Sequence, residues 1–171
     1  IYFTSGNNLN ITNNYFSVAG GYAIYANDAD YSDISNNNII TPTYGIRADD
    51  CDNCTINNND ITSESSTGTT NAIYAPNSTE IQVVNNTLVA DENGVVVNNS
   101  FKAAIKQNNI TGRIYWTGIN FSDSDSSTVT QNFVERTEQN GNTYSWQYLI
   151  NGDNSEGSLI KKDTLKYLVV S

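Results

Sequence analysis

The chain has 171 residues, 37% hydrophobic and 15% charged, with a net charge of −10 and no His. Eight Lys and Arg without a cluster exclude a nucleic-acid surface, which needs concentrated positive charge. No apolar run approaches the roughly 18 residues of a membrane helix, and the lack of His excludes nucleophilic triads built on it.

The chain opens on Ile1-Tyr2-Phe3, without Met or a signal peptide, which reads as a processed protein or a piece of a longer one. Ten residues on comes Ile11-Thr12-Asn13-Asn14-Tyr15-Phe16: apolar, any, amide, Asn, any, apolar. The phrase returns at Ile34, Ile56, Val83, Ile105 and Val129, at spacings of 23, 22, 27, 22 and 24 residues. Its fourth place is always Asn (Asn14, Asn37, Asn59, Asn86, Asn108, Asn132) and its third is always Asn or Gln. Ten residues before each phrase stands another aliphatic, at Ile1, Ile24, Ile46, Ile73, Val95 and Ile119. A fixed period in this range marks a repeat architecture.

Both apolar columns sit in short β-branched runs with a spacing of two, which predicts strands. Asn, Thr, Ser and Gly crowd every segment and compete with helical hydrogen bonds. The Asn after the second strand is expected at a bend, since Asn tolerates the left-handed region. Stacked coils would bring these amides to about 4.8 Å, close enough for a hydrogen-bonded ladder. One coil cannot bury its apolar side, whereas a stack buries a continuous core. The residue before the first-strand aliphatic is small (Ala23, Gly45, Ala72, Gly94, Gly118), as a tight bend requires.

The longest insertion, Thr62 to Thr70, predicts a loop on one face. After Val134 the phrase stops. Strand-like runs at 143–150, 158–161 and 164–170, with turn signals between them, predict an antiparallel meander over 135–171. It would serve as a cap or oligomerisation element, because a solenoid exposes raw strand edges at its ends. No such cover precedes Ile1, which points to a preceding domain or a neighbouring subunit there.

Tyr44-Gly45-Ile46-Arg47 followed by Cys54-Thr55-Ile56-Asn57-Asn58-Asn59-Asp60-Ile61, echoed in every coil over residues 1–134, resembles the right-handed parallel β-helix family. That family includes pectate-lyase-like enzymes, phage tailspikes and NosD-type repeat proteins. The resemblance implies an all-β fold: a single-stranded right-handed parallel β-helix of about six coils, followed by the meander. It is specific for fold and weak for function, because such folds host many activities.

Strand alternation points Tyr25, Arg47 and Tyr74 outward as an aromatic–cation–aromatic strip. Flat rings and a guanidinium suit sugar faces and sugar carboxylates, and the resemblance implies that saccharides bind on this outer face. Exposed rings also stack across strands for stability alone. In the following turn Asp28, Asp30, Asp49, Asp50 and Asp52 are expected to cluster. Stacked carboxylates repel, so calcium or acid/base work on a glycosidic bond are the functional readings, beside plain solvated turn residues. No cofactor is required, calcium is the one candidate, and no catalytic residue is assigned. The chain lacks the His of polygalacturonase-type enzymes, and Arg47 is the only basic residue near the acids. Cys51 and Cys54 cannot fill a zinc site without His. A buried free thiol is the simpler reading for them, a local disulfide the alternative.

The combined expectation is a structural or receptor-binding module of a phage tailspike or tail fibre, on the virion surface or otherwise extracellular. It would contact host polysaccharide as a homotrimer or by end-to-end stacking. A polysaccharide lyase or glycoside hydrolase, and a filament or surface-layer subunit, are the alternatives.

Overall fold

The computed structural model describes residues 1–63, 70–139 and 148–170. It holds 21 strands in three seven-stranded parallel sheets, and each sheet takes every third strand in order. The chain therefore winds through the first, second and third sheet in turn and rises one strand per circuit. The second coil shows the pattern: Tyr22–Asn27, then Asp33–Ser35, then Asn38–Thr41. Among the described residues there is no helix, and none is long and apolar enough to cross a membrane.

The repeated aliphatics form three internal columns. Ile24 pairs with Ile46, Ile46 with Ile73, and Ile73 with Val95 in the first sheet. Ile34, Ile56, Val83, Ile105 and Val129 line the second, and Ile39, Ile61, Leu88, Ile110 and Val134 the third; all are fully buried. Each such side chain contributes about 1.5–3 kcal/mol by leaving water. A lone coil with three of them could not offset the ordering of more than twenty residues at about 1–2 kcal/mol each, so stability requires neighbours.

The phrase's two amides divide the work. The left-handed bend falls on the third position: Asn13, Asn36, Asn58, Asn85, Gln107 and Gln131 have φ between 51° and 59°. The invariant fourth Asn was expected to make that bend and does not; it builds the ladder. The Oδ1 of Asn59 accepts the backbone N–H and the side-chain Nδ2–H of Asn37, both at 3.0 Å. The Nδ2 of Asn59 donates to Ile34 O at 2.9 Å and to Asn86 Oδ1 at 3.0 Å. The same bonds link Asn14 to Asn37, Asn86 to Asn108 and Asn108 to Asn132. Asn37, Asn59, Asn86, Asn108 and Asn132 are each 1% exposed, so the ladder lies inside the coil wall.

The antiparallel meander expected after Val134 is not what forms. Tyr148–Asn151, Leu159–Lys161 and Thr164–Val170 pair in parallel with the three strands of the sixth coil and make a seventh. The phrase persists there as Ile160-Lys161-Lys162-Asp163-Thr164-Leu165, with Lys162 at φ 63° in the bend position. Lys and Asp in place of two amides hid it, as did its start 31 residues after Val129. Residues 64–69 of the expected loop and 143–147 of the expected strand lie outside the described residues.

Asp163 ends the ladder. Its Oδ1 accepts from the backbone N and the Nδ2 of Asn132, at 2.7 and 2.9 Å. Its Oδ2 is buried and has no partner. In the coil below, that place is held by an amide nitrogen donating to a carbonyl, as Asn132 Nδ2 does to Ile105 O at 2.9 Å. Asp163→Asn puts the donor back, so we expect it to raise unfolding free energy by about 1 kcal/mol. The urea midpoint at pH 7 measures this; an unchanged or lower midpoint contradicts it.

Candidate functional site

The outer face of the first sheet carries the only aromatic ladder among the described residues. Register stacks Tyr2 on Tyr25, Tyr25 on Arg47, and Arg47 on Tyr74. The three residues expected to form a strip are therefore adjacent. Two more rings, Tyr22 and Tyr44, join them from a second outward column that continues into Asn71.

Alternation could not place these two rings. In Tyr22–Asn27 and Tyr44–Asp49 the chain bends at Ala23 and Gly45, and two successive residues turn inward. Tyr22 and Tyr25 thus share the outer face at a spacing of three. The available signal was the recurrence of Tyr two residues before Ile24 and again before Ile46.

The rings form one connected patch, with centroids at 4.7 Å (Tyr2–Tyr25), 5.1 Å (Tyr22–Tyr25), 4.9 Å (Tyr22–Tyr44) and 6.1 Å (Tyr44–Tyr74). Arg47 sits among them, its Cζ 5.2, 5.1 and 5.3 Å from the rings of Tyr22, Tyr25 and Tyr74. Such cation–ring contacts are worth about 0.5–1 kcal/mol when exposed and more when desolvated. The Nε of Arg47 donates to both oxygens of Asp49 at 2.9 and 2.8 Å, and its Nη2 lies 2.6 Å from Asp49 Oδ2. Its Nη1 donates to the Tyr22 hydroxyl at 2.8 Å. The Tyr25 hydroxyl donates to Asp49 Oδ2 at 3.1 Å.

These contacts fix the charge states. The bonds to Asp49 hold the Arg47 guanidinium above its ordinary range, so it stays charged. Burial, then the Asp49 carboxylate, pushes the Tyr25 phenol up; burial and then Tyr22 do the same to Tyr44. At neutral pH both rings are uncharged and half-buried.

The five aspartates stack in neighbouring turns, the Asp28 N–H donating to Asp49 O at 3.0 Å, and three of the carboxylates are engaged there. Asp49 is 6% exposed and committed to Arg47 and Tyr25. Asp30 Oδ1 accepts the Asp52 backbone N–H at 2.9 Å, and Asp52 Oδ1 accepts that of Thr79 at 2.6 Å. Asp28 and Asp50 are exposed and hold left-handed turns at φ 52° and 49°. Turn chemistry accounts for four of the five, and among the described residues no three His, Cys, Asp or Glu side chains group as metal ligands. Cys51 and Cys54 are not free buried thiols, the simpler expectation; they are joined as a disulfide, with Cα atoms 5.7 Å apart. Both sulfurs lie against the Ala29 carbonyl, at 3.2 and 3.0 Å.

A smaller cluster escaped the sequence reading. The Asp91 carboxylate pairs with Arg113, whose guanidinium lies over Tyr115, and Trp116 beside it is 56% exposed. The next residue, Glu92, accepts the Thr70 backbone N–H at 3.0 Å, and burial raises its carboxyl above the ordinary range.

Residues 1–134 match the family described as "Right handed beta helix region". Among solved structures, the chain is similar to a protein of Parabacteroides merdae ATCC 43184 that carries a provisional assignment as a glycosyl hydrolase. The two share 12% identity over 90% of this chain and 83% of that one, with a TM-score of 0.58, a likeness of fold. No curated protein matches the chain.

Proposed function

Because the chain belongs to the right-handed β-helix family, we propose that it is a surface module whose first sheet binds polysaccharide, of the kind found in a phage tailspike or tail fibre. The observation that carries this reading is the ring patch of Tyr2, Tyr22, Tyr25, Tyr44 and Tyr74 around Arg47. Flat, pre-positioned rings bind at low entropic cost, since packing has already fixed them. A parallel sheet repeats them at about 4.8 Å per strand, which suits a repeating ligand. The disulfide fits an oxidising, extracellular setting. Three of the carboxylates beside the patch, those of Asp49, Asp30 and Asp52, are engaged by Arg47 or by backbone N–H groups, which favours binding over hydrolysis or elimination.

Affinity electrophoresis against a polysaccharide panel tests the reading. We expect Tyr25→Ala with Tyr74→Ala to weaken binding at least about tenfold, or 1.4 kcal/mol, with the strand signature in circular dichroism retained. Unchanged binding in that folded variant removes the patch as the site.

A further inference from the structure

Resting on that reading, we infer that the patch selects uncharged glycans and rejects polyuronates, because its one cation is already consumed by Asp49 and the surrounding coils are uniformly acidic. An exposed Arg among aromatic rings ordinarily points to a sugar carboxylate, gripped by two parallel N–H bonds. Arg47 cannot offer that grip. Its Nε and Nη2 edge is filled by Asp49, at 2.8 and 2.6 Å to Oδ2. On its other edge Nη1 is bonded to the Tyr22 hydroxyl at 2.8 Å. Its faces are taken by rings from the coils on either side, Tyr25 at 5.1 Å and Tyr74 at 5.3 Å. The guanidinium is a brace between rings, and its charge is cancelled within hydrogen-bonding distance.

The charge distribution along the chain acts in the same direction. Residues 1–100 contain a single cation, Arg47, against eleven Asp and Glu. Residues 101–171 carry seven of each sign, so the entire net charge of −10 lies on the segment that builds the patch. Asp28 and Asp50 stand exposed in the turn that follows the strip, beside Asp30 and Asp52. At physiological salt such charges act over about 8 Å, and further at low salt. An anionic polymer laid along this sheet meets repulsion with no free cation to offset it. The remaining chemistry, ring faces with hydroxyls and amides, suits the C–H faces and hydroxyls of neutral hexoses.

The test compares neutral hexose polymers (glucans, galactans and mannans) with polygalacturonate and alginate. Binding is measured by affinity electrophoresis at low and high NaCl, alongside the Tyr25→Ala/Tyr74→Ala variant. We expect the native chain to bind at least one neutral polymer, with less than about a twofold change between 50 and 500 mM NaCl, since no phosphate-like or carboxylate contacts release counterions. No uronate binding is expected at either salt. Asp49→Asn, checked for folding by circular dichroism, frees the guanidinium and is expected to gain measurable polygalacturonate binding at low salt. Native binding to a polyuronate that the ring variant loses overturns this inference and leaves the patch as the saccharide site. Neutral-polymer binding that survives in the ring variant overturns the patch itself.

Discussion

Asn59→Ala is expected to cost about 3–5 kcal/mol of unfolding free energy, against well under 1 kcal/mol for Asn14→Ala. The difference follows from what each removal strands. Without Asn59, two donors of Asn37, its backbone N–H and one side-chain Nδ2–H, lose their acceptor. Both lie inside the wall, on a residue 1% exposed, where water cannot replace the lost partner. A buried unsatisfied group costs about 1–3 kcal/mol, and here there are two, with a small cavity added. Asn14 lies in the exposed first coil and accepts nothing from a coil below; its loss leaves Asn37 Oδ1 still bonded to the Asn14 backbone N–H. Domains are stable by only about 5–15 kcal/mol, so the interior change removes a large share. Urea unfolding of both variants checks it; equal midpoint shifts would show that the ladder is not a load on buried donors.

How much of this was legible in the residues is plain from the ladder and its end. Six phrases with Asn in one place predicted stacked parallel strands, and the register pairs those very positions, Ile11 with Ile34 and Ile34 with Ile56. Two neighbouring amides in each phrase left their roles ambiguous, since Asn serves both a left-handed bend and a hydrogen-bond column. Only the backbone angles separate Asn58 at φ 51° from Asn59 in the ladder. The seventh coil was misread because Asp163 accepts hydrogen bonds as Asn does, and Lys162 holds the bend without being an amide. The fold needs only an acceptor and a tolerated φ at these two places, not one residue type.

The patch was half legible for a similar reason. Tyr25, Arg47 and Tyr74 follow strict alternation, whereas Tyr22 and Tyr44 reach the same face only because Ala23 and Gly45 turn inward with the next residue. The acidic turn was legible as acidic but not as engaged. Nothing in the spacing of Asp30 and Asp52 tells that each carboxylate accepts a backbone N–H from the coil above.

The same inward bend supplies the second large effect. Gly94→Ala is expected to cost about 2–3 kcal/mol, whereas Gly20→Ala should stay within about 0.5 kcal/mol. A Cβ on Gly94 would lie 2.5 Å from Gly118 O and 2.5 Å from the Ile110 Cγ2; around Gly20 nothing lies within 4 Å. Gly45 meets the equivalent pair, Ala72 O and the Ile61 Cγ2, both at 2.5 Å, and Gly118 meets Val134 and Leu149 O. In all three coils the facing third-sheet residue is β-branched, and its extra methyl fills the space a Cβ would need. In the fourth coil Ala72 stands with Leu88, which has no branch at Cβ. Ala23 stands with Ile39, an exception that nothing in the structure explains. The exchange seen between Ala72 with Leu88 and Gly94 with Ile110 makes the cost conditional. Ile110→Leu alone, a volume-conserving swap, should cost less than about 1.5 kcal/mol. Added to Gly94→Ala, it should recover at least about 1 kcal/mol of the loss, a coupling of the size that touching residues show. Thermal and urea unfolding of the four proteins closes the cycle. Strict additivity would mean that the Cβ site at Gly94 is closed by the Gly118 carbonyl alone, and that the side chain of Ile110 plays no part in keeping that position glycine.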